Sequence, residues 1–270
     1  LLGRGKSMYN YANLKKLDQA VTVLEPSDNL IINGQPLDNL IEGYRHLTVS
    51  GRGLLGRNVS TTKVTGRRGV WVDDYEDEER TLEIKYQLTA VTSAQMRDKF
   101  AKLNKILRTH APSGFLEISF RDEPEYIYYG YFNGADSFEE TNLSIISKFS
   151  LLIPDGYKKK QPQTSTGPIS LIDAVEVLPE SITVTPSKTT DRVQIVNGSK
   201  IISFSGSYAP GQDIVIFFDP DEVKATYGNR NILSELDRFS PLELFKVRDG
   251  DTITAVNATV KKVVWRDERA

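Results

Sequence analysis

Between Thr81 and Thr89 every second residue is apolar: Leu82, Ile84, Tyr86 and Leu88 share one parity, and Glu83, Lys85 and Gln87 share the other. That period of two predicts a strand with one face on a core. The period then changes. After Ser93, read as an N-cap, Met96, Phe100, Leu103 and Leu107 recur at helical spacing, and Pro112 and Gly114 close the segment. No other long helix is predicted. From Gly114 the two-residue period returns in Leu116, Ile118 and Phe120. A turn at Arg121-Asp122-Glu123-Pro124, an aromatic strand from Glu125 to Phe132, a turn at Asn133-Gly134 and an alternating strand from Leu143 to Ile153 follow.

Beyond Ile153 the patterning lapses. Residues 158–168 are polar, proline-containing and aperiodic, which predicts a linker. Further on come short β-rich runs, Glu180 to Pro186, Asp191 to Val196, Lys200 to Gly206, Asp213 to Phe218, Thr252 to Ala255 and Thr259 to Trp265, with turn pairs at Asn197-Gly198 and Asp249-Gly250. That spacing predicts an antiparallel β-sandwich. The expected plan is therefore mainly β: an N-terminal domain over 8–157 with a sandwich or barrel-like sheet and one helix, a linker over 158–168, and a C-terminal β-sandwich over 169–270. A length of 270 residues suits two domains. Residues 1–7, a short Gly/Arg/Lys stretch without secretory-signal patterning, are expected to be an expression remnant ahead of a native start at Met8.

Composition narrows the chemistry. There is no cysteine, which excludes disulfides, zinc–thiolate sites and a thiol nucleophile. A formal net charge of −2 lacks the basic excess that drives bulk nucleic-acid binding. No apolar run approaches the ~20 residues of a membrane span.

Several motifs invite a chemical reading. Gly51-Arg52-Gly53-Leu54-Leu55-Gly56 has dinucleotide-loop spacing, follows Leu47-Thr48-Val49, and has Asp73 and Asp74 about 20 residues on. The helix such a loop needs is missing, because Asn58 to Val64 is β-branched and polar; a glycine-rich bend in a β-ribbon is expected, and no cofactor. His46 and His110 are the only histidines, and neither sits in a nucleophile motif. No spacing singles out a carboxylate pair for glycoside hydrolysis. No catalytic residue is assigned. The acidic run Asp73-Asp74-Tyr75-Glu76-Asp77-Glu78-Glu79 lacks the ligand order of a calcium loop, so no metal is assigned and a solvated hairpin tip is expected. Tyr126, Tyr128, Tyr129, Tyr131 and Phe132 are read as packing residues of a strand rather than a stacking platform. Asn58, Asn142, Asn197 and Asn257 begin glycosylation sequons, a pattern too loose to weigh.

Charge patterning is more informative. Arg45, Arg52, Arg57, Lys63, Arg67 and Arg68 form an acid-free stretch directly before Asp73, Asp74, Glu76, Asp77, Glu78 and Glu79. Two unlike patches in succession suit either of two arrangements. One is a head-to-tail interface between copies, and the other is pairing of the two strands of one hairpin.

The order of these parts resembles the distal tail protein (Dit) family of long, non-contractile-tailed phages. The resemblance runs from Arg45 to Tyr157 through the ribbon ending near Gly66-Arg67-Arg68-Gly69, the strand Arg80 to Ala90, the helix after Ser93 and Gly114-Phe115-Leu116-Glu117-Ile118. It continues through the turn Asp122-Glu123-Pro124, the strand Tyr126 to Phe132 and Ile153-Pro154-Asp155-Gly156-Tyr157. The second half is similar to the family's galectin-like domain in Asp213 to Asp219, Phe245 to Ile253 and the last strand through Trp265, with Ser165 to Lys188 matching least.

The resemblance implies a non-enzymatic virion component at the tail tip, made in the bacterial host cytoplasm. Its N-terminal domains would form a six-subunit ring between the tail tube protein and the tail-associated hub protein, with DNA only transiting the channel and no membrane contact. Its galectin-like domains would hold baseplate, side-fibre or receptor-binding proteins. The alternative reading is a carbohydrate-binding host-adhesion module working through Trp265 or the Tyr227 region. A third, nucleic-acid binding through the arginine ribbon, predicts steep salt dependence.

Overall fold

The computed structural model describes residues 26–137, 142–219 and 223–270; the expected remnant at 1–7 and the start at Met8 lie outside the described residues. The described chain up to Lys158 forms one compact unit, and Lys159–Arg269 forms another. Both are built almost wholly of strands.

The first unit contains β1 (Leu30–Ile32), β2 (Gln35–Pro36), a single turn of helix α1 (Leu37–Leu40), β3 (Tyr44–Ser50), β4 (Arg57–Thr62), β5 (Trp71–Asp77) and β6 (Arg80–Thr89). The long helix α2 (Ser93–Leu107), β7 (Leu116–Phe120), β8 (Glu123–Ala135) and β9 (Ser144–Ile153) follow, and β10 (Lys158–Lys159) stands at the division. Strand order is β2-β1-β7-β8-β9-β6-β3, and β4 and β5 pair only with each other. Strand β8 is long enough to serve two partners. Its first part pairs with β7 and its last residues with β9. It passes between them at Gly130, where any Cβ would fall 2.4 Å from the Leu152 carbonyl oxygen, so only glycine fits. The resulting curl wraps one core. Leu82, Ile84, Tyr86 and Leu88 of β6, Leu116, Ile118 and Phe120 of β7, and Phe149, Leu151 and Ile153 of β9 meet Met96, Leu103 and Leu107 of α2 there.

Helix α2 is capped one residue earlier than its sequence suggests. Thr92, in extended conformation, accepts the Gln95 backbone N–H at 3.2 Å through its hydroxyl, which leaves Ser93 as the first helical residue. Thr92→Ala is expected to cost ~1 kcal/mol in the unfolding of this unit, measured by calorimetry. Asn133-Gly134 is not a turn. It falls inside β8 as a bulge, with a register shift between Phe132 and Gly134, because the strand must bend onto β9.

The second unit comprises β11 (Gln163–Ser165), β12 (Ser181–Pro186), β13 (Thr190–Asn197), β14 (Lys200–Tyr208), β15 (Ile214–Phe218), β16 (Val223–Tyr227) and β17 (Arg230–Asn231), then a 3-10 turn Leu233–Glu235, β18 (Thr254–Val256), β19 (Ala258–Trp265) and β20 (Glu268–Arg269). One sheet runs β11-β19-β12-β15-β16-β17 and the other β14-β13-β18. Ile182, Val184, Ile214, Ile216, Val263 and Trp265 of the first share a core with Val193, Ile195, Ile202, Phe204 and Tyr208 of the second, the arrangement of a β-sandwich. The linker expected at 158–168 is corrected here. Gln163, Thr164 and Ser165 pair with Trp265, Val264 and Val263, so the stretch contains an edge strand. Its residues are polar because an edge strand need not bury a face.

Candidate functional site

The hairpin of β4 and β5 stands apart from both cores: all 13 of its strand residues are exposed. Its foot is clamped. Gly51, at φ +90°, lies so close to β6 that a Cβ would overlap the Thr81 carbonyl oxygen, so a glycine is required there. Arg80, the first residue of β6 and 4% exposed, donates to three backbone carbonyls, Gly51 at 2.7 Å, Gly53 at 2.9 Å and Gly156 at 2.8 Å. The Glu78 N–H donates to the Gly56 carbonyl at 3.1 Å, and the Tyr157 hydroxyl to Asp77 Oδ2 at 2.6 Å. The Gly51–Gly56 motif is thus a backbone clamp. Strand β4 follows it, so no helix N-terminus is available for a pyrophosphate.

Beside the foot, Arg52 donates to Asp122 at 2.9 Å and to Glu123 at 2.6 Å, with its guanidinium 4.4 Å from the Phe120 ring centre. Lys158 closes on both Glu123 oxygens at 2.7 and 2.8 Å. Burial alone would raise the Glu123 pKa, but Lys158 and Arg52 outweigh it and hold the carboxyl below its ordinary value.

The hairpin register gives it two unlike faces. Arg57 opposes Asp77, Val59 opposes Tyr75, and Thr61 opposes Val72; these pairs share one side. Asn58 with Glu76, Ser60 with Asp74, and Thr62 with Trp71 occupy the other, and Asp73 sits in a bulge, accepting the Thr62 hydroxyl at 2.5 Å. The first side is apolar apart from Thr61 and one ion pair, in which Arg57 grips Asp77 at 2.6 and 3.2 Å and stacks over Tyr75 at 4.7 Å. Glu76 and Asp74 make the second side acidic. Arg67 stacks over Trp71 at 4.7 Å.

This geometry corrects the expected acidic tip. Residues 63–70 connect the strands, so the tip carries Lys63, Arg67 and Arg68, while Asp73, Asp74, Glu76 and Asp77 lie along the returning strand β5. Register decides this, because pairing Arg57 with Asp77 leaves the glycines Gly66 and Gly69 for the bend. Of the other charged candidates, Glu78 and Glu79 stand at the foot and Arg45 lies away from the hairpin on β3, lining a 360 Å³ hollow with Asp38, Tyr44 and Gln87. Arg52 is built into the fold and Arg57 pairs within the hairpin, whereas Arg67, Arg68, Asp74 and Glu76 are exposed.

The remaining chemistry-bearing residues are placed as follows. His46 is fully buried, with Nε2 3.6 Å from Asp28, and His110 packs edge-on against Tyr131. Tyr126 and Tyr128 are buried, which removes them as a stacking surface. Trp265 is buried and donates its ring N–H to the Ser170 carbonyl at 3.2 Å, so it offers no platform for a sugar; the Tyr227 hydroxyl is engaged by the Ala209 backbone. Among the described residues no group of three or more His, Cys, Asp or Glu is placed to hold a metal ion, and no helix is long and apolar enough to cross a membrane. Sequence reading overlooked the buried charges Arg80, Lys158 and Asp267.

No protein-family model and no curated protein matches the chain. Among solved structures it is similar to the Dit protein of phage SPP1, described as a paradigm of the hub adsorption apparatus in phages infecting Gram-positive hosts, with a TM-score of 0.72 at 17% identity over 90% of this chain and 99% of that one. A chain of the phage P2 baseplate in its activated conformation with Ca aligns at 12% identity over 84% of this chain and 91% of that one, with a TM-score of 0.47. The chain therefore has the mainly β, Dit-like fold.

Proposed function

We propose that this chain is a structural subunit of a phage tail tip, a hub without catalysis. Its first unit would close into a six-membered ring joining tail tube to baseplate or tip, and its second unit, galectin-like in this reading, would anchor receptor-binding or side-fibre proteins. The observation that carries this is the correspondence with a hub protein along nearly the full length of both chains. The hairpin supplies the physical reason for assembly. Two-stranded ribbons are marginal in water, yet this one leaves Val59, Trp71, Val72 and Tyr75 each more than half exposed. Apolar side chains gathered on a projecting ribbon are stabilised by burial against a partner. Unlike patches on one subunit give a heterologous interface, and a ring results when the rotation closes.

The test is size and shape in solution. Light scattering and negative-stain images of the full chain, alone and with purified tail tubes, are expected to show six-fold rings. A variant with residues 57–77 replaced by a short Gly-Ser turn should stay monomeric with its second unit melting unchanged. A full-length chain that stays monomeric even on tail tubes, or rings that persist without the hairpin, would refute the reading.

A further inference from the structure

Helix α2 turns a row of cations to solvent, interrupted by one exposed carboxylate, Asp98. Arg97, Lys102, Lys105 and Arg108 are exposed on the side away from Met96, Leu103 and Leu107. None of the four pairs with an acid among the described residues; Arg108 spends its guanidinium on Asn104 at 3.0 Å and on the Phe132 ring. Residues 97 to 108 span ~16 Å along the helix axis. The acidic side of the hairpin is the matching half. Asp77 is already taken by Arg57 and Tyr157, but Asp74 and Glu76 have no cation partner among the described residues. With Glu78 at the same parity, that row extends ~13 Å.

We propose that the acidic side of the β4–β5 hairpin of one copy docks on the basic side of α2 of a second copy. This rests on the ring reading above and names the surface that receives the hairpin. Each copy carries both halves, so the contact is head-to-tail and repeats around a ring. Trp71 lies on the same side as Asp74 and Glu76 with the Arg67 guanidinium over its ring, and the exposed small residues Ala94 and Ala101 leave room on the helix for that side to approach. The charges set register and encounter rate, and like charges placed opposite one another act against wrong pairings. A nucleic acid is the less suited occupant. Asp98 interrupts the basic row, the chain carries no net positive charge, and the hairpin offers a complementary row of similar length.

Charge exchange in the full-length chain tests this. Lys102→Glu with Lys105→Glu reverses the helix, and Asp74→Lys with Glu76→Lys reverses the hairpin. Each double variant alone is expected to self-associate about ten-fold more weakly or worse while melting like wild type. An equimolar mixture of the two should form rings again, because alternating copies present one native and one exchanged contact in turn. Either variant assembling like wild type, or a mixture that stays dissociated, overturns the docking and leaves the ring reading standing. Helix reversal that abolishes retention of duplex DNA without touching assembly also overturns it, in favour of a nucleic-acid face. A wild-type chain that never assembles removes both readings.

Discussion

Replacing Arg80 by leucine is expected to destabilise the first unit by ~3 kcal/mol and to release the hairpin from its fixed position. The guanidinium is buried at the start of β6 and is the donor shared by the carbonyls of Gly51, Gly53 and Gly156, which belong to the two chain segments that bracket the hairpin foot. Leucine would fill much of the volume but leave three carbonyl oxygens without that donor, each costing ~1–3 kcal/mol where water cannot reach it. Lysine should rescue only part, because a single ammonium lacks the planar fork that spans three acceptors. Calorimetry should show the first unit melting earlier, and limited proteolysis should gain cleavage between residues 51 and 79. If Arg80→Leu melts and resists protease like wild type, the clamp is not what positions the hairpin.

Much of the fold is legible in the sequence, and the buried charges Arg80 and Asp267 show where legibility ends. Strand β6, helix α2 and strand β9 follow from the period of their apolar positions, because each has one face on a core and one in solvent. Strand β11 is hidden because an edge of Gln163, Thr164 and Ser165 has no apolar face to display, and β16 because only Ala225 of its five residues is buried. The bulge at Asn133-Gly134 uses the same residue pair that makes tight turns, and only the need to bend onto β9 distinguishes the two outcomes.

At the site, the ribbon and its charge succession are legible, but its register is not, so the acidic residues are placed on the wrong part of the hairpin. A usable signal for the hidden charges does exist. Arg80 shares the parity of Leu82, Ile84, Tyr86 and Leu88, and Asp267 shares that of Val263 and Trp265, so both extend a buried row. His46, in phase with Tyr44, is buried for the same reason. A charged residue in step with apolar neighbours marks a buried polar node, and such nodes need partners from elsewhere in the chain.

Asp267→Asn should have the larger effect on the second unit, lowering its stability by ~3 kcal/mol or more. The carboxylate is fully buried and accepts the backbone N–H groups of Ile172 at 3.0 Å, Asp173 at 3.2 Å and Ala174 at 3.0 Å, together with Lys160 Nζ at 3.1 Å. Three successive N–H groups converging on one anion fasten the loop at 172–174 to the end of β19, and an amide offers one oxygen and no charge in their place. Burial alone would raise the Asp267 pKa, but the N–H groups of Ala174 and Ile172 and the Lys160 ammonium outweigh it, so the value lies below that of the unfolded chain. The stabilisation is therefore present in full above about pH 4, the unfolded carboxyl range, and is lost as pH falls through the folded value. Trp265, buried in the same unit, reports its unfolding by fluorescence while the only other tryptophan, Trp71, is already exposed. Urea titrations at pH 7 should separate wild type from Asp267→Asn widely, and the gap should narrow progressively as pH is lowered below about 4. A gap that stays constant across that range would mean the ionised carboxylate contributes nothing that a neutral side chain cannot, and the convergence of N–H groups on it would need another explanation.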